Sequence, residues 1–444
     1  MAAEPIVARR PAAPSRIASL AAEVVRRSPP AVVTARTSAL AVGAVVAGAG
    51  TALARQQGPG ALDTVWAEDG AVFLAQVHDL GVGGSLLEPY AGYLHAVPRL
   101  IAAVVSALPL QWADTAYAAL SALVTAGCAV FVFRASAAHV AGRWARVACA
   151  APILVSPLAG TEVLANAANL HWFLLSAAFW AVVWRAPSRW ESAVAASVVA
   201  AAALSDPFAL ALLPLAALRL APRRRPDAVA SAFAVAAVVQ VAGALTADSG
   251  RQLGEKAEVA LVPFRYVVDV FGRGLAGDRV VGQDGLSSRG VVVGGLVLGA
   301  VAALAFARRH AVRRRAPFLA AAGLVSVAYF TAPVALSGIS TSRYALAPAL
   351  LVIAALAVLV DDGGRSPRRR RMGAPGAAGL AALAVCWAVG LPSHNHRDTG
   401  PAWDEALAAA AASCTPGSAA AVEVLPDGLT AELPCDDVVE AARR

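Results

Sequence analysis

Long apolar blocks separated by short polar segments form the dominant pattern of this sequence. The blocks are about 17 to 22 residues long, the length that an α-helix needs to cross the hydrocarbon core of a bilayer. The pattern predicts an all-α polytopic membrane protein with about 11 transmembrane helices. The short blocks 191–204 and 208–220, which flank Ser205-Asp206-Pro207, are also consistent with a broken or re-entrant element. We place the spans at residues 38–54, 112–133, 147–165, 170–184, 191–204, 208–220, 228–245, 291–307, 317–336, 344–360 and 374–391.

Composition supports this class and explains the charge of the chain. Apolar residues make up 58% of the 444 residues, charged residues make up 15%, and the mean hydropathy is +0.63. These values lie outside the range of soluble domains. The net charge of +8 comes mainly from arginines between the apolar blocks. Topology and contacts with anionic membrane lipids explain this charge without a nucleic-acid partner.

The distribution of arginine predicts the orientation of the chain in the membrane. If the N-terminus is cytoplasmic, every dense arginine cluster lies on the cytoplasmic side, as the positive-inside rule requires. Abundant Ala, Val and Arg with very little Lys suggest a GC-rich bacterial coding bias, so we expect a bacterial plasma membrane. The clusters occupy residues 134–146, 185–189, 219–225, 308–315 and 365–371.

The spans divide the chain into three parts. Residues 1–37 are rich in Arg and Pro and form a predicted disordered cytoplasmic tail. Residues 38–391 form the transmembrane domain, whose two long outer loops are 55–111 and 246–290. Residues 392–444 form a small tail that this topology places outside the cell.

The C-terminal tail contains two cysteines and a mixed pattern of elements. A helical pattern at 403–412 is followed by a strand-like pattern at 420–425, which predicts a small ordered appendage. Cys414 and Cys435 lie in this tail, on the oxidising side of the membrane, and we expect them to form a disulfide.

Each outer loop contains an amphipathic segment that we interpret as an interfacial helix. Counting residues 94–108 as a span would move the later arginine clusters outside, so we assign its apolar positions to a lipid-facing stripe. His95 and Arg99 are four residues apart and share the opposite face. The apolar stripe consists of Leu94, Val97, Ile101, Val104 and Leu108. In the second segment, 258–275, the polar stripe consists of Glu258, Arg265, Asp269 and Arg273.

The most informative polar feature is the segment 66–70, Trp-Ala-Glu-Asp-Gly, in the first outer loop. It places Glu68 and Asp69 beside the bilayer, where carboxylates are costly and commonly functional. Either carboxylate could deprotonate an acceptor hydroxyl, or hold a divalent cation, Mg²⁺ or Mn²⁺, on a leaving phosphate. The alternative is that the pair only complements the dipole of a helix that begins here.

A second polar group lies at the outer junction of the third and fourth spans. A Trp face and amide groups suit the ring and hydroxyls of a sugar, so one interpretation is a sugar-binding corner. The alternative is that these side chains only cap helix ends. The residues are Glu162, Asn166, Asn169, His171 and Trp172.

A third polar group leads into the tenth span and includes Arg343 and Tyr344. An arginine at a helix N-terminus adds its charge to the free N–H groups there, which favours a phosphate. The alternative is an interfacial Arg and Tyr pair. The second outer loop is also basic, and is either a charge-balanced solvated face or a surface for a phosphate-bearing substrate. We therefore also consider Arg99, Arg265 and Arg273 as phosphate contacts.

Together these features resemble the type-C superfamily of glycosyltransferases, multi-span membrane enzymes that use polyprenyl-phosphate-linked sugars. The resemblance implies an outer-loop acidic residue as catalytic base, which by match is Asp69 or Glu68. It also implies inverting transfer from a polyprenyl-phosphate-sugar donor to a glycan, lipid or protein acceptor. The resemblance rests on Glu68-Asp69, the segment with His95 and Arg99, Asn169-Leu170-His171-Trp172, Arg343-Tyr344 and the cysteine-bearing tail.

The resulting site hypothesis gives each polar group a role. Donor phosphate would contact Arg343, Arg99, Arg265 and Arg273, and the sugar or acceptor would contact His95, Glu162, Asn166, Asn169, His171, Trp172 and Tyr344. The chain departs from the superfamily in its small outer C-terminal part, which leaves acceptor recognition open. The alternatives are a flippase or transporter of polyprenyl-linked sugars, and a non-catalytic envelope scaffold. A transporter would favour internal repeats and ionisable groups near span midpoints, which the sequence does not show.

Overall fold

Helices dominate the computed structural model, and its strands form two two-stranded sheets. The structure describes residues 15–31, 34–56, 58–160, 162–221, 227–247, 260–282, 285–337, 340–361, 381, 384–385, 387–388, 395–397, 400–426 and 428–444. The helices are α1 (Arg16–Val24), α2 (Ala35–Ala54), α3 (Ala75–Ser85), α4 (Ala96–Val105), α5 (Ala113–Ala135), α6 (Arg143–Ala150), α7 (Pro152–Val155), α8 (Leu170–Val183), α9 (Arg189–Ser205), α10 (Leu213–Leu220), α11 (Ala228–Thr246), α12 (Val262–Tyr266), α13 (Gly274–Ala276), α14 (Asp278–Val281), α15 (Ser288–Ala307), α16 (Arg309–Ser337), α17 (Leu346–Val360), α18 (Trp403–Ala412) and α19 (Cys435–Ala442). Turns of 3₁₀ type lie at Leu110–Trp112, Ser136–Ala138, Pro157–Ala159, Pro207–Leu212 and Ser342–Ala345, and π-helical turns at Asp69–Leu74 and Val267–Arg273.

Six helical segments of the described chain are long and apolar enough to cross a membrane. The class of helical membrane protein is therefore confirmed, whereas a count of about 11 spans is not. The predicted span 374–391 lies largely outside the described residues. The six segments are Ala35–Ala54, Leu110–Ala138, Ala228–Thr246, Ser288–Ala307, Arg309–Ser337 and Ser342–Val360.

Proline lies at breaks in two regions of the predicted spans. The block 147–165 consists of the end of α6, then α7 and a 3₁₀ turn that begin at Pro152 and Pro157. Proline lacks a backbone N–H and ends the preceding helix. In the pair of blocks 191–204 and 208–220, the break lies at Asp206, whose extended backbone separates α9 from the 3₁₀ turn and α10 that start at Pro207.

Helix α8 shows why an apolar block does not by itself establish a membrane span. The helix has 14 residues, a rise of about 21 Å, which is short for a hydrocarbon core about 30 Å thick. All of its residues are buried. The apolar block 170–184 therefore forms a core helix that contacts protein on every side.

The bundle has two ends of different character. At the arginine-rich end, Arg134 pairs with Glu191 at an N–O distance of 2.7 Å. At the opposite end, which we call the site end, Arg397 donates hydrogen bonds to Thr64 O and Oγ1 at 3.1 and 2.6 Å. Asp361, which follows α17, lies at the arginine-rich end. The chain between Asp361 and Arg397 therefore starts and finishes at opposite ends of the bundle.

The prediction of a disordered tail over residues 1–37 is wrong for the described residues 15–31. The Ser15 side chain caps α1, and β1 (Arg26–Arg27) pairs in parallel with β2 (Trp184–Arg185). Ser28 is buried and its hydroxyl accepts a hydrogen bond from the Trp184 indole at 3.0 Å. Packing against the arginine-rich end therefore orders a polar segment that has no apolar block of its own. Residues 1–14 lie outside the described residues.

The C-terminal residues form a compact unit of helix, hairpin and helix. Strands β3 (Ala419–Val424) and β4 (Leu429–Pro434) pair in antiparallel register between α18 and α19. Cys414 and Cys435 form a disulfide with a Cα–Cα distance of 5.5 Å.

This C-terminal unit attaches directly to the first outer loop. Leu425 donates to Val65 O at 3.0 Å, and its own carbonyl accepts from the Ala67 N–H at 2.5 Å. Trp403 donates its backbone N–H to Asp63 O at 2.7 Å. The unit therefore holds the backbone that immediately precedes Glu68.

Candidate active site

A cavity of about 370 Å³ opens at the site end, and both outer-loop and helix residues line it. Glu68 and Arg343 supply its charge. Aromatic side chains of the first outer loop form one wall, and the start of α8 with Tyr344 forms the other. Pro207, Phe208, Pro333 and Leu336 complete an apolar side. The acidic segment, the corner around α8 and the Arg343 segment, which are far apart in sequence, thus meet in one place.

The structure separates the two carboxylates of the acidic pair. Asp69 starts the π-helical turn Asp69–Leu74 and is fully buried. Its two carboxylate oxygens accept N–H hydrogen bonds from Ala167 and Ala168, each at 2.8 Å. Glu68 is partly exposed and lines the cavity, whereas Asp69 does not. The carboxylate of Glu68 is therefore accessible to a ligand, and that of Asp69 ties the first outer loop to the loop before α8.

Burial dominates the proton affinity of Asp69. Loss of solvent raises the pKa of its carboxyl to about 7, although the hydrogen bonds from Ala167 and Ala168 favour the ionised form. The charge of Glu68 also raises this pKa, while that of Arg397 lowers it. A proton on Asp69 is therefore in equilibrium near neutral pH.

The loop before α8 is held mainly by its own side chains. Asn166 is fully buried; it donates to Glu162 O at 2.6 Å and accepts from the Asn169 N–H at 3.0 Å. Asn169 lines the cavity, but Asn166 does not. The amide of Asn166 is therefore used within the loop rather than offered to a ligand.

Three aromatic rings stand side by side on the α8 wall. The Trp172 ring centre is 4.5 Å from that of His171 and 5.5 Å from that of Tyr344. His171 contacts Ala168 O through Nδ1 at 2.8 Å, and its Nε2 lies 3.7 Å from the Asp206 carboxylate. Asp206 also caps the following 3₁₀ turn, since its carboxylate accepts a hydrogen bond from the Phe208 N–H at 2.7 Å. Its second contact, with His171, has no signal in the sequence.

The indole N–H of Trp172 is buried behind the cavity wall. Trp172 is 2% exposed and lines the cavity. Its Nε1 is buried and has no hydrogen-bond partner among the described residues. A buried donor without an acceptor is costly, and this donor is not open to the cavity, so Trp172 presents only part of its ring to a ligand.

The opposite wall is also aromatic. Tyr93 stacks on His95 with ring centres 4.1 Å apart, and Phe73 and Tyr90 lie within 6.0 Å of each other and of His95. The site hypothesis includes only His95 from this wall. The other three rings follow the acidic pair closely in sequence, and this spacing is the signal that could have identified them.

Only one of the four predicted phosphate-binding arginines lines the cavity. Arg343 does so, and its Nη1 lies 3.4 Å from the Glu162 carboxylate. Arg273 is buried and bonded to Asp269 and to the carbonyl of Gly282 at 2.8 Å. Arg273 and Arg265 lie outside the cavity lining. The polar stripe of the second outer segment therefore holds that segment together, at least in its described part from residue 260, while Glu258 lies outside the described residues.

The orientation expected for residues 94–108 is only partly right, since Val104 and Leu108 of the predicted lipid-facing stripe are exposed but other positions are not as expected. Arg99 is fully buried, lies 5.3 Å from the Phe73 ring centre and donates to Gln76 at 2.8 Å. Leu94 and Ile101, which were assigned to the lipid-facing stripe, are buried too. The spacing of apolar residues does not show that α4 packs on the π-helical turn Asp69–Leu74. The Phe73 ring in that turn offers a cation–π contact to the Arg99 guanidinium.

The described residues do not fit a divalent-cation site on the acidic pair. No group of three His, Cys, Asp or Glu side chains in the described chain could hold a metal ion. Both oxygens of Asp69 accept backbone N–H groups. Glu68 and Glu162 both lie within electrostatic range of the Arg343 guanidinium, which already supplies the positive charge. We derive no step through a metal.

No protein-family model matches the chain, and no curated protein or solved structure is significantly similar to it. The chemistry of the cavity is therefore argued from its own residues. These are an accessible carboxylate, a guanidinium and two aromatic walls.

Proposed function

We propose that this protein is an integral-membrane glycosyltransferase that moves a sugar from a polyprenyl-phosphate donor to a glycan, lipid or protein acceptor of the cell envelope. The observation that carries the proposal is that Glu68 and Arg343 line one aromatic cavity at the site end. A base and a phosphate-binding cation are the two charged groups that such a transfer needs.

The shape and lining of the cavity suit a lipid-linked sugar. Its volume of about 370 Å³ is within the usual range for small-molecule sites. The rings of Trp172 and Tyr344 line the cavity side by side and offer apolar surface to a sugar ring. Leu336 on the apolar side is 53% exposed, so a prenyl tail can leave the cavity along the lipid-facing surface.

The proposed reaction uses Glu68 as the base. Its carboxylate takes the proton of the acceptor hydroxyl, whose oxygen attacks the anomeric carbon from the face opposite the phosphate. The bond between the anomeric carbon and the phosphate oxygen breaks, and polyprenyl phosphate leaves with the electron pair. Configuration at the anomeric carbon inverts. Arg343 stabilises the charge that grows on the phosphate, a contribution of about 3 to 4 kcal/mol for one well-placed donor.

The proposal includes an orientation. By the positive-inside rule the arginine-rich end faces the cytoplasm, and the site end with the disulfide-bonded unit faces outward. The cavity would then act on the outer face of a bacterial plasma membrane.

The test is transfer of labelled sugar from a panel of polyprenyl-phosphate donors by purified protein in lipid nanodiscs, followed by mass spectrometry. Wild type should consume a donor and form a glycosylated product, and Glu68→Gln should lose at least 100-fold in rate. Glu423→Gln is the matched control, because Glu423 is exposed on β3 and does not line the cavity.

Three results would count against the proposal. An active Glu68→Gln variant together with a folded, inactive Asp69→Asn variant would move the role of base to Asp69. Donor binding without turnover in every protein would favour a carrier flippase or a scaffold. A loss of rate in Glu423→Gln as large as in Glu68→Gln would show that the effect is not specific to the cavity.

A further inference from the structure

A second and larger cavity lies at the arginine-rich end, far from the proposed active site. Its volume is about 790 Å³. Three parts of the chain line it: the end of α1 with β1, the junction of α15 with α16, and Asp361 after α17. We call it the basic pocket. Its charged residues are Glu23, Arg26, Arg308, His310, Arg313, Arg314, Arg315 and Asp361.

The basic pocket has an excess of positive charge. Five arginines face two carboxylates, which leaves three positive charges before His310 is counted. Asp361 contributes little neutralisation, because its oxygens accept N–H bonds from Ala141 and Gly142 at 2.8 and 3.0 Å and it also pairs with Arg315. Burial and then the charges of Arg26 and Arg315 lower the pKa of the neighbouring His139 to about 3, which reflects the same positive field.

Two arginines of the pocket are hydrogen-bonded to backbone carbonyls, and two others are exposed. Arg308 donates to Leu359 O and Val360 O, and Arg315 donates to His139 O at 2.6 Å. These two hold α16 to its neighbours. Arg313 and Arg314 are exposed on the first turns of α16, where they are accessible to a ligand.

Topology alone does not require this arrangement. The positive-inside rule needs arginines on one side of the membrane, and separate loops would satisfy it. Here the arginines lie on a folded wall, since α16 begins at Arg309 and α1 packs against it. The arginines therefore line one concave surface and are not spread over separate loops.

The surroundings of the pocket are those of the membrane boundary. Trp144 and Trp190 at this end are 60% and 77% exposed, as expected for an aromatic belt. Phe306 beside the pocket is 73% exposed, and Ile17 on α1 is 61% exposed. A lipid bound here would contact arginines with its head group and exposed apolar side chains with its acyl chains.

We infer that the basic pocket binds the phosphate head group of an anionic phospholipid. Arginines between membrane helices on one face of a bilayer recognise such head groups through charge-assisted hydrogen bonds. The excess charge selects an anionic over a zwitterionic head group, and the exposed Phe306 and Ile17 side chains accept the acyl chains. The inference does not depend on the glycosyltransferase proposal.

The experiment measures lipid binding to purified, delipidated full-length protein by native mass spectrometry. The probes are phosphatidylglycerol, phosphatidylcholine and, as a soluble source of the same chemistry, inorganic phosphate. The variant is Arg313→Gln with Arg314→Gln. The matched control is Arg143→Gln with Arg189→Gln, which removes the same charge from exposed positions at the same end outside the pocket.

We expect wild type to retain phosphatidylglycerol in preference to phosphatidylcholine. The pocket variant should bind phosphatidylglycerol roughly 30-fold more weakly, given the usual worth of two arginines near an anionic lipid surface. The control should bind as wild type does. Because all four positions are exposed, the variants should keep the wild-type unfolding midpoint.

Equal weakening in the pocket variant and the control would overturn the inference, since it would show a general surface charge effect. Equal retention of phosphatidylcholine would overturn it as well. Displacement of phosphatidylglycerol by inorganic phosphate at similar concentration would show that the site takes free phosphate rather than a lipid.

Discussion

Glu68 and Asp69 are adjacent in the chain but face different environments. The Asp69 carboxylate is fully buried between the N–H groups of Ala167 and Ala168, whereas the Glu68 side chain lines the cavity. The π-helical turn that starts at Asp69 contains Phe73, which forms part of the cavity wall. One carboxylate therefore positions the site and the other is available for chemistry.

The buried position of Asp69 predicts a pH-dependent stability. Burial, opposed by the Ala167 and Ala168 N–H bonds, raises the pKa of this carboxyl from 3.8 to about 7. Between these values the folded protein holds a proton that the unfolded chain has released, so the free energy of unfolding falls as pH rises. The slope for one group approaches about 1.4 kcal/mol per pH unit. We expect the thermal unfolding midpoint in detergent to fall from about pH 5 to about pH 7 and then level off.

Asp69→Asn is the control for this slope because an amide does not titrate. Its NH₂ group would face a backbone N–H donor, so the variant should also be less stable than wild type at low pH by about 1 to 3 kcal/mol. A wild-type midpoint that stays constant over this range would contradict the assignment of Asp69 as a buried proton-binding group.

Arg343 is expected to act on the donor phosphate. Arg343→Ala should lower kcat/KM for the polyprenyl-phosphate donor by about 100- to 1000-fold, because it removes a charge from the side of the leaving group. Steady-state kinetics in nanodiscs measures this effect. Arg279→Ala is the control, since Arg279 is exposed and lies outside the cavity lining. Unchanged donor kinetics in Arg343→Ala would remove Arg343 from the site.

Trp172 is expected to contact the bound sugar, because it lines the cavity. Trp172→Phe keeps an aromatic face and removes the buried N–H that lacks a partner among the described residues. Because the smaller Phe ring contacts less of the sugar, we expect a 3- to 10-fold rise in KM, about 0.5 to 1.5 kcal/mol, with no loss of thermal stability.

The contrasting variant is Trp403→Phe. The Trp403 indole donates to Leu110 O at 3.0 Å, so this variant should lose stability and keep the wild-type KM. If Trp172→Phe instead destabilises the protein without changing KM, its N–H has a structural role.

The disulfide is expected to stabilise the backbone before Glu68 from a distance. Cys414 and Cys435 close a loop of 21 residues in the C-terminal unit, which contributes about 3 kcal/mol. That unit bonds to Val65 and Ala67 through Leu425. Replacing both cysteines with Ser should increase hydrogen exchange in residues 63–70 and reduce transfer.

Dithiothreitol should produce the same change in wild type and none in the double Ser variant. Hydrogen exchange could instead increase only within the C-terminal unit, with residues 63–70 still protected. That result would show that the hydrogen bonds of Leu425 to Val65 and Ala67 do not depend on the disulfide.

The sequence by itself determined the membrane class, because the length of an apolar block is matched directly to the bilayer. It also located Glu68, Arg343 and Trp172, since polar residues near apolar spans are conspicuous. Composition could not decide the number of spans. A helix such as α8, buried on every side, has the same apolar pattern as a helix that faces lipid.

Only the tertiary structure decided which polar residues face the cavity. Glu68 and Asp69 are equivalent in the sequence, and they differ because two backbone N–H groups almost 100 positions later occupy one of them. Arg99 and Arg273 match a phosphate site by charge, but the fold uses them against Phe73 and Asp269. Charge and period are local properties of a chain, whereas burial and partner choice depend on segments that meet only when the bundle packs.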